Sequence, residues 1–170
     1  VRSRKDAVKA VRQIVRKVVT DREFLAAVGS AVLTQVHRAF IVKSKGGTDE
    51  SGARWAPLAP FTVAKKKKEQ KSPHIMVEDG DLLRSLEPPP RGVTGGGTGD
   101  RVFRVKANYV EVGTRRKWSW THQKGIPPWL PQRRLWPPPD DWPESWWQAI
   151  SNAARMRLVQ IITDLLRGKT

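Results

Sequence analysis

Residues 20–42 read TDREFLAAVGSAVLTQVHRAFIV. Phe24, Val28, Val32, Val36 and Phe40 recur every four positions, and Leu25, Leu33 and Ala39 widen them into the apolar stripe of a core helix. Thr20 and Glu23 stand three apart, the spacing at which a hydroxyl and a carboxylate satisfy each other's orphan backbone donors. The stretch predicts a helix from Thr20 to about Val42, ended by the turn-rich KSKGGTDESG of residues 43–52. His37 lies beside the stripe and reads as a boundary residue.

Upstream, Val8, Val11, Ile14, Val15, Val18 and Val19 alternate with Lys9, Arg12, Arg16 and Lys17, which predicts an amphipathic helix with a basic outer face. Ser3 and Asp6 have weak capping-box spacing. Residues 1–20 thus form a basic N-terminal helix ahead of a single α+β domain over 21–170. Downstream, ARWAPLAPFT (53–62) reads as extended chain and KKKKEQK (65–71) as an exposed loop or a frayed helix. HIMV (74–77) is a short strand candidate, and GDLLRSL (80–86) suits helix or strand. In RVFRVKANYVEVGT (101–114), Phe103, Val105 and Ala107 share one face and Arg104 and Lys106 the other, with Tyr109–Val112 continuing the sheet. GGGTG (95–99) reads as a mobile hairpin tip. A last helix begins near Asp141, with Asp141 and Glu144 as a capping box and Pro143 in the first turn. Trp146, Ile150, Ala154, Leu158, Ile161, Ile162 and Leu165 face its core, and Gly168 ends it. The fold class is α+β: N-terminal helices, a small antiparallel sheet with long loops, a Pro/Trp-rich arm and a C-terminal helix.

A chain of 170 residues suits one core. Its 32 Lys and Arg against 16 acids give +16 and favour polyanionic or acidic partners. The absence of cysteine excludes disulfides and thiol chemistry and fits a reducing compartment. No uninterrupted apolar run approaches the roughly 18–20 residues of a membrane span, and VRSRKDAVKAVRQIVRKV lacks the apolar stretch of a secretory signal. The expectation is a soluble protein assembled inside a cell, with no membrane partner.

Catalytic chemistry is present only in fragments. His37, His74 and His122 have no metal-ligand spacing. His122 reads as a hydrogen-bonding structural residue rather than a general base, and Glu78, Asp79 and Asp81 as an acidic turn rather than a magnesium site. The terminal GKT (168–170) lacks the earlier glycine of a phosphate loop, because Thr163 stands there. The expectation is a protein that is not an enzyme, with no catalytic residue, metal or cofactor.

The composition then shifts. Seven of the eight tryptophans lie in residues 118–147 and seven of the thirteen prolines in 127–143. No acid occurs between Thr114 and Trp136. Proline neither donates to a ladder nor sits inside a helix, so residues 114–141 read as a stiff, extended arm. At its centre is THQKGIPPWLPQRRLW, residues 121–136. Basic groups beside indoles suit nonspecific nucleic-acid binding, which is the alternative reading. Tryptophan and arginine interleaved with proline equally suit an arm that docks on another subunit. In the docking reading His122, Gln123 and Gly125 set the exit angle, Pro127, Pro128 and Pro131 hold the chain extended, Arg133 meets a carboxylate or carbonyl, and Trp129, Leu135 and Trp136 anchor. Lys65, Lys66, Lys67, Lys68, Arg115, Arg116 and Lys117 are candidates for contact with DNA or an acidic partner, although the lysine run is most simply a solvated face.

Three blocks in this order carry a resemblance. The first holds Gly52, Trp55, Pro57, Leu58 and Thr62; the second Gly80, Leu82 and Ser85; the third His122-Gln123-x-Gly125, then Pro131-x-Arg133 with Leu135 and Trp136. Over about residues 36–165 the chain resembles the bacteriophage virion-morphogenesis family, which includes tail-completion proteins of contractile-tailed phages. Asp79 and the bulky Trp136 depart from its pattern, residues 137–147 are unusually heavy for it, and the basic helix at 4–19 lies outside it. The resemblance implies a structural virion protein at the neck, assembled in the host bacterial cytoplasm as a homo-oligomeric ring, commonly a hexamer. Its implied partners are head connector or adaptor proteins and tail terminator, tube or sheath proteins, with nonspecific contact to genomic DNA in the channel.

Overall fold

The computed structural model describes residues 4–90, 93 and 99–167, the first four by backbone alone. Residues 95–98 of the glycine-rich tip, the GKT terminus, the stop at Gly168 and the Ser3–Asp6 box lie outside the described side chains. The α+β class is as expected. Among the described residues there are six α-helices: α1 (Arg4–Thr20), α2 (Arg22–Ser44), α3 (Pro60–Lys68), α4 (Asp81–Ser85), α5 (Lys117–Lys124) and α6 (Glu144–Leu166). Strands β1 (Arg101–Val105) and β2 (Val110–Thr114) pair antiparallel, with Phe103 opposite Val112.

Helix α2 organises the molecule. Its N-cap is Asp21, not Thr20: the Asp21 carboxylate accepts from the Phe24 N–H at 2.5 Å. Arg157 of α6 grips the same carboxylate through Nε and Nη2 (3.2 and 3.1 Å) and reaches Glu23 at 2.9 Å. Burial alone would raise the Asp21 pKa, but Arg157 and the Phe24 N–H together hold it below the usual carboxylate value. Because Trp146, near the start of α6, packs with Val36, Ala39 and Phe40 towards the other end of α2, the two helices run antiparallel.

The buried face of α2 is rotated from the sequence stripe. Ala26, Gly29, Leu33, Val36, Ala39 and Phe40 are buried, whereas Phe24, Val28 and Val32 are only half-buried. Gly29 explains the rotation. A Cβ there would stand 2.7 Å from Val110 Cγ2 and 3.2 Å from Phe103, so only glycine lets the sheet lie this close. One core then joins Ala26 and Leu33 to Phe103 and Val105. A second surrounds the C-terminal half of α2, where Val36, Ala39 and Phe40 meet Trp55, Ile75, Leu86, Leu135 and Trp146. Trp55 stands edge-on to Phe40, with ring centroids 5.2 Å apart. By length and mean hydropathy α2 resembles a membrane span, as core helices often do, but polar residues interrupt it and it packs between α6 and the sheet.

Other local expectations change. Residues 74–77 are a turn rather than a strand, with Met76 at φ 58°, because the Ile75 N–H donates to the Ser44 carbonyl (2.8 Å) rather than to a ladder. The lysine run is helical in α3, and Lys66 is not solvated. Its ammonium donates to the carbonyls of Ser72, His74 and Val77 at 3.0, 2.9 and 2.7 Å, capping that turn, and burial lowers its pKa. Ala107 lies in the hairpin turn, exposed. Helix α6 starts at Glu144 after a 3-10 turn, with Pro143 rather than Asp141 as its N-cap residue.

Lys43 and Asp49 form a buried pair, 2.9 Å apart and each 3 % exposed. Burial pushes the Asp49 pKa up, but the Ser51 hydroxyl, Lys43 and the Ala53 N–H outweigh it and hold the carboxyl below its ordinary value. A depressed carboxyl stabilises the fold above its unfolded pKa of about 3.9 and ceases to do so as pH falls through the folded value. Asp49→Ala, which strands Lys43, is expected to cost about 3–5 kcal/mol in urea denaturation at neutral pH. The deficit against wild type should shrink as the medium is acidified below about pH 4.

Candidate docking site

The segment 114–141 is not one extended arm. Residues 117–124 are the helix α5, and the rest turns back onto the globule. Gly125 makes the reversal. It sits at φ 73° and ψ 170°, a region essentially reserved for glycine, and a Cβ would meet the Gln132 backbone N at 2.8 Å. Ile126 and Leu130 then exchange both backbone hydrogen bonds (2.7 and 2.8 Å), closing a tight loop that carries Pro127, Pro128 and Trp129 at its tip.

The returning strand is locked by one side chain. Gln123 Oε1 accepts from the backbone N–H groups of Leu135 (2.7 Å) and Trp136 (3.1 Å), while its Nε2 donates to the Trp136 carbonyl (2.7 Å). The Arg133 N–H donates to the His122 carbonyl at 2.7 Å, and Gln132 reaches the Gln123 carbonyl at 2.9 Å. Further along, the Arg134 carbonyl accepts from Trp55 Nε1 (3.2 Å) and from Lys43 Nζ (3.4 Å). Leu135 is buried in the second core, and Trp136 packs against both.

The ten sequence-derived docking residues therefore divide. His122, Gln123, Gly125, Arg133, Leu135 and Trp136 fasten the segment to its own domain. Pro127, Pro128, Trp129 and Pro131 stay exposed, and Trp129 is 86 % exposed. Two rings missing from the sequence-derived set join them. Trp118 is 69 % and Trp120 is 64 % exposed on α5, and Ile126 is half-exposed. The only signal for them was that KWSWTHQK contains no proline and so can form a helix, masked by the prolines that follow.

Arg133 meets a carbonyl, that of Ala56 at 3.3 Å, rather than a carboxylate. Its Nε and His122 Nδ1 are both buried without a hydrogen-bond partner. Burial, then the nearby Arg133 charge, lowers the His122 pKa; burial likewise lowers that of His37, partly offset by Glu87.

The basic candidates also separate. Arg116 pairs with Asp81 and with Asp100 (2.5 Å), tying the end of β2 to α4, whereas Arg115, Lys117, Lys65, Lys67 and Lys68 are exposed. The Lys124 ammonium lies over the Trp120 ring, 4.4 Å from its centroid. A polar cleft of about 470 Å³, lined by Lys43, Arg54, Trp55, Arg134 and Asp141, lies between the 49–55 loop and the returning segment.

With this geometry in hand, comparison with known proteins adds no relative: no family model, curated protein or solved structure matches the chain.

Replacing Gln123 by Ala leaves two N–H groups and a carbonyl unpaired, so a loss of about 1–3 kcal/mol is expected in urea denaturation. Both depressed histidines resist protonation in the folded state, whereas the unfolded chain takes up protons below about pH 6.5. Wild-type stability should therefore decline as pH falls below about 6.5, and His122→Asn should decline less over that interval.

Proposed function

We propose that this chain is a structural subunit of a phage neck, a tail-completion or head–tail joining protein that seats on the next component through its tryptophan ledge. One observation carries the reading: the indoles of Trp118, Trp120 and Trp129 are each left largely in water within a twelve-residue stretch whose base is fixed by Gln123 and Gly125. Each indole offers about 150–250 Å² of surface that a partner can bury, and tryptophan is among the residues enriched at binding hot spots. A backbone already fixed at its base loses less conformational entropy on docking than a free tail would, which favours affinity.

The three blocks behind the family resemblance also support the reading. Trp55, Ile75 with Leu86, and Leu135 come from separate parts of the chain and meet in one core around α2. In this reading the three blocks serve to close the core, and the exposed indoles are what that closure leaves outside. In a ring, Arg115, Lys117 and the exposed lysines of α3 are available to acidic neighbours or to DNA in the channel.

Nonspecific nucleic-acid binding remains the rival, favoured by the Lys124–Trp120 pair, since a cation beside an exposed indole suits a phosphate next to a stacked base. Replacing Trp118, Trp120 and Trp129 by Ser should leave circular dichroism and melting unchanged. In the parent phage this variant should accumulate filled heads and finished tails that stay unjoined, visible by electron microscopy. Joined, infectious particles at wild-type yield contradict the proposal. Tight, steeply salt-dependent gel shifts by the wild-type chain that the triple variant abolishes favour the rival.

A further inference from the structure

Two apolar features lie outside residues 118–129, and among the described residues nothing covers either. The first is a stripe on α1. Val8, Val11, Val15 and Val19 are each about half exposed along one side of the helix, with Lys9, Arg12 and Arg16 exposed beside them. The second is a groove of about 570 Å³ between α2 and α6, roofed on one side by Pro89 and Pro90. Its floor is made of small side chains, Ala27, Ala31 and Thr34 of α2 and Ala153 of α6, with the exposed Met156 as a wall.

The two match in length and charge. The lining of α2 runs from Glu23 to Thr34, and the valine stripe runs from Val8 to Val19; at 1.5 Å per residue both measure about 16 Å. One end of the groove is acidic within a chain of +16. There Asp21, Glu23 and Asp164 surround the single guanidinium of Arg157, an excess of carboxylate that suits a helix edged with Lys and Arg.

The groove cannot take the helix of its own chain. Asp21 alone separates α1 from α2, whereas an antiparallel return of two helices needs about 2–5 linking residues. Nor do the valine stripes suit each other, because pairing two copies of α1 would bring their Lys and Arg rows together.

We infer that α1 of one copy of this chain lies in the α2/α6 groove of the next. Donor and acceptor are different surfaces, so the contact is heterologous and repeats from subunit to subunit until it closes or propagates. Small floor residues let the incoming helix approach closely while its valines cover the floor, the usual form of helix-in-groove recognition. This self-contact does not use the tryptophan ledge, so the triple Ser variant keeps it, and either proposal can fail alone.

Sedimentation velocity on the full-length chain tests it with two crippled halves. Val11→Asp with Val15→Asp removes the donor and leaves the groove intact. Ala31→Trp fills the groove and leaves the donor intact; Met156→Arg, at an exposed position that folding does not require, is the second acceptor variant. Wild type is expected to assemble beyond a dimer at micromolar concentration and low salt, and less so as salt rises. The donor variant and Ala31→Trp should each stay monomeric, and Met156→Arg should associate about tenfold more weakly. Mixing the donor variant with Ala31→Trp should restore one-to-one dimers and nothing larger, which also proves both folded. If Ala31→Trp does not fold, Met156→Arg replaces it in the mixture. A monomeric wild type overturns the inference, as does an acceptor variant that assembles like wild type. Monomers in solution that bind phosphatidylglycerol vesicles through α1 overturn it too, by making a lipid surface the occupant.

Discussion

The ammonium of Lys43, buried at the C-terminal end of α2, is the constraint on which the rest of the domain depends. It pairs with Asp49, donates to the Arg134 carbonyl and lies 5.4 Å from the Trp55 ring centroid. A charge so deeply buried is tolerable only when its partners are held in place. Asp49 is held by its own turn, accepting from Ser51 N and Ala53 N at 3.0 Å each. Trp55 is held by Phe40 and by its own hydrogen bond to Arg134. The polar loop after α2 and the returning strand of the Pro/Trp segment are thereby fastened to the same point, and each requires the other.

This fastening divides a segment that looks uniform in sequence. Its base is part of the core: Gln123 replaces a neighbouring strand for Leu135 and Trp136, and Trp136 bridges the two apolar clusters. Its tip is left in water. A segment anchored at both ends holds the backbone of its tip in a fixed place, which in the functional proposal suits closure onto a preformed partner. In the functional proposal, the rigidity of the ledge comes from the base, so damage to Gln123 or Gly125 would act on assembly through position rather than through lost contact.

Much of the fold was legible from periodicity. The helices α1, α2 and α6, the 101–114 hairpin and the core role of Trp146 follow from spacing and side-chain size. The departures have local causes. The face of α2 turned because Gly29, silent in a hydrophobicity pattern, permits the closest approach of the sheet. Residues 74–77 have strand-like composition, but Lys66 and Ser44 engage their backbone as a turn. Lys66 itself looked like part of a solvated run, and nothing in four identical residues marks the one that turns inward. For the arm, proline content argued for extension, whereas KWSWTHQK ahead of it contains no proline and folds as a helix. Which tryptophans face inward depends on Gln123, whose three backbone bonds leave no trace in composition.

Native-state hydrogen exchange of the isolated full-length chain addresses the central claim most directly, because the claim is that the base of the Pro/Trp segment is locked onto its own domain. The amides of Arg133, Leu135 and Trp136, bonded to His122 and Gln123, should exchange as slowly as those in the buried middle of α2 around Val36. Exchange of those three amides at the rate of an unstructured peptide, while α2 stays protected, would mean that the segment is free in the monomer and that the anchored ledge does not exist.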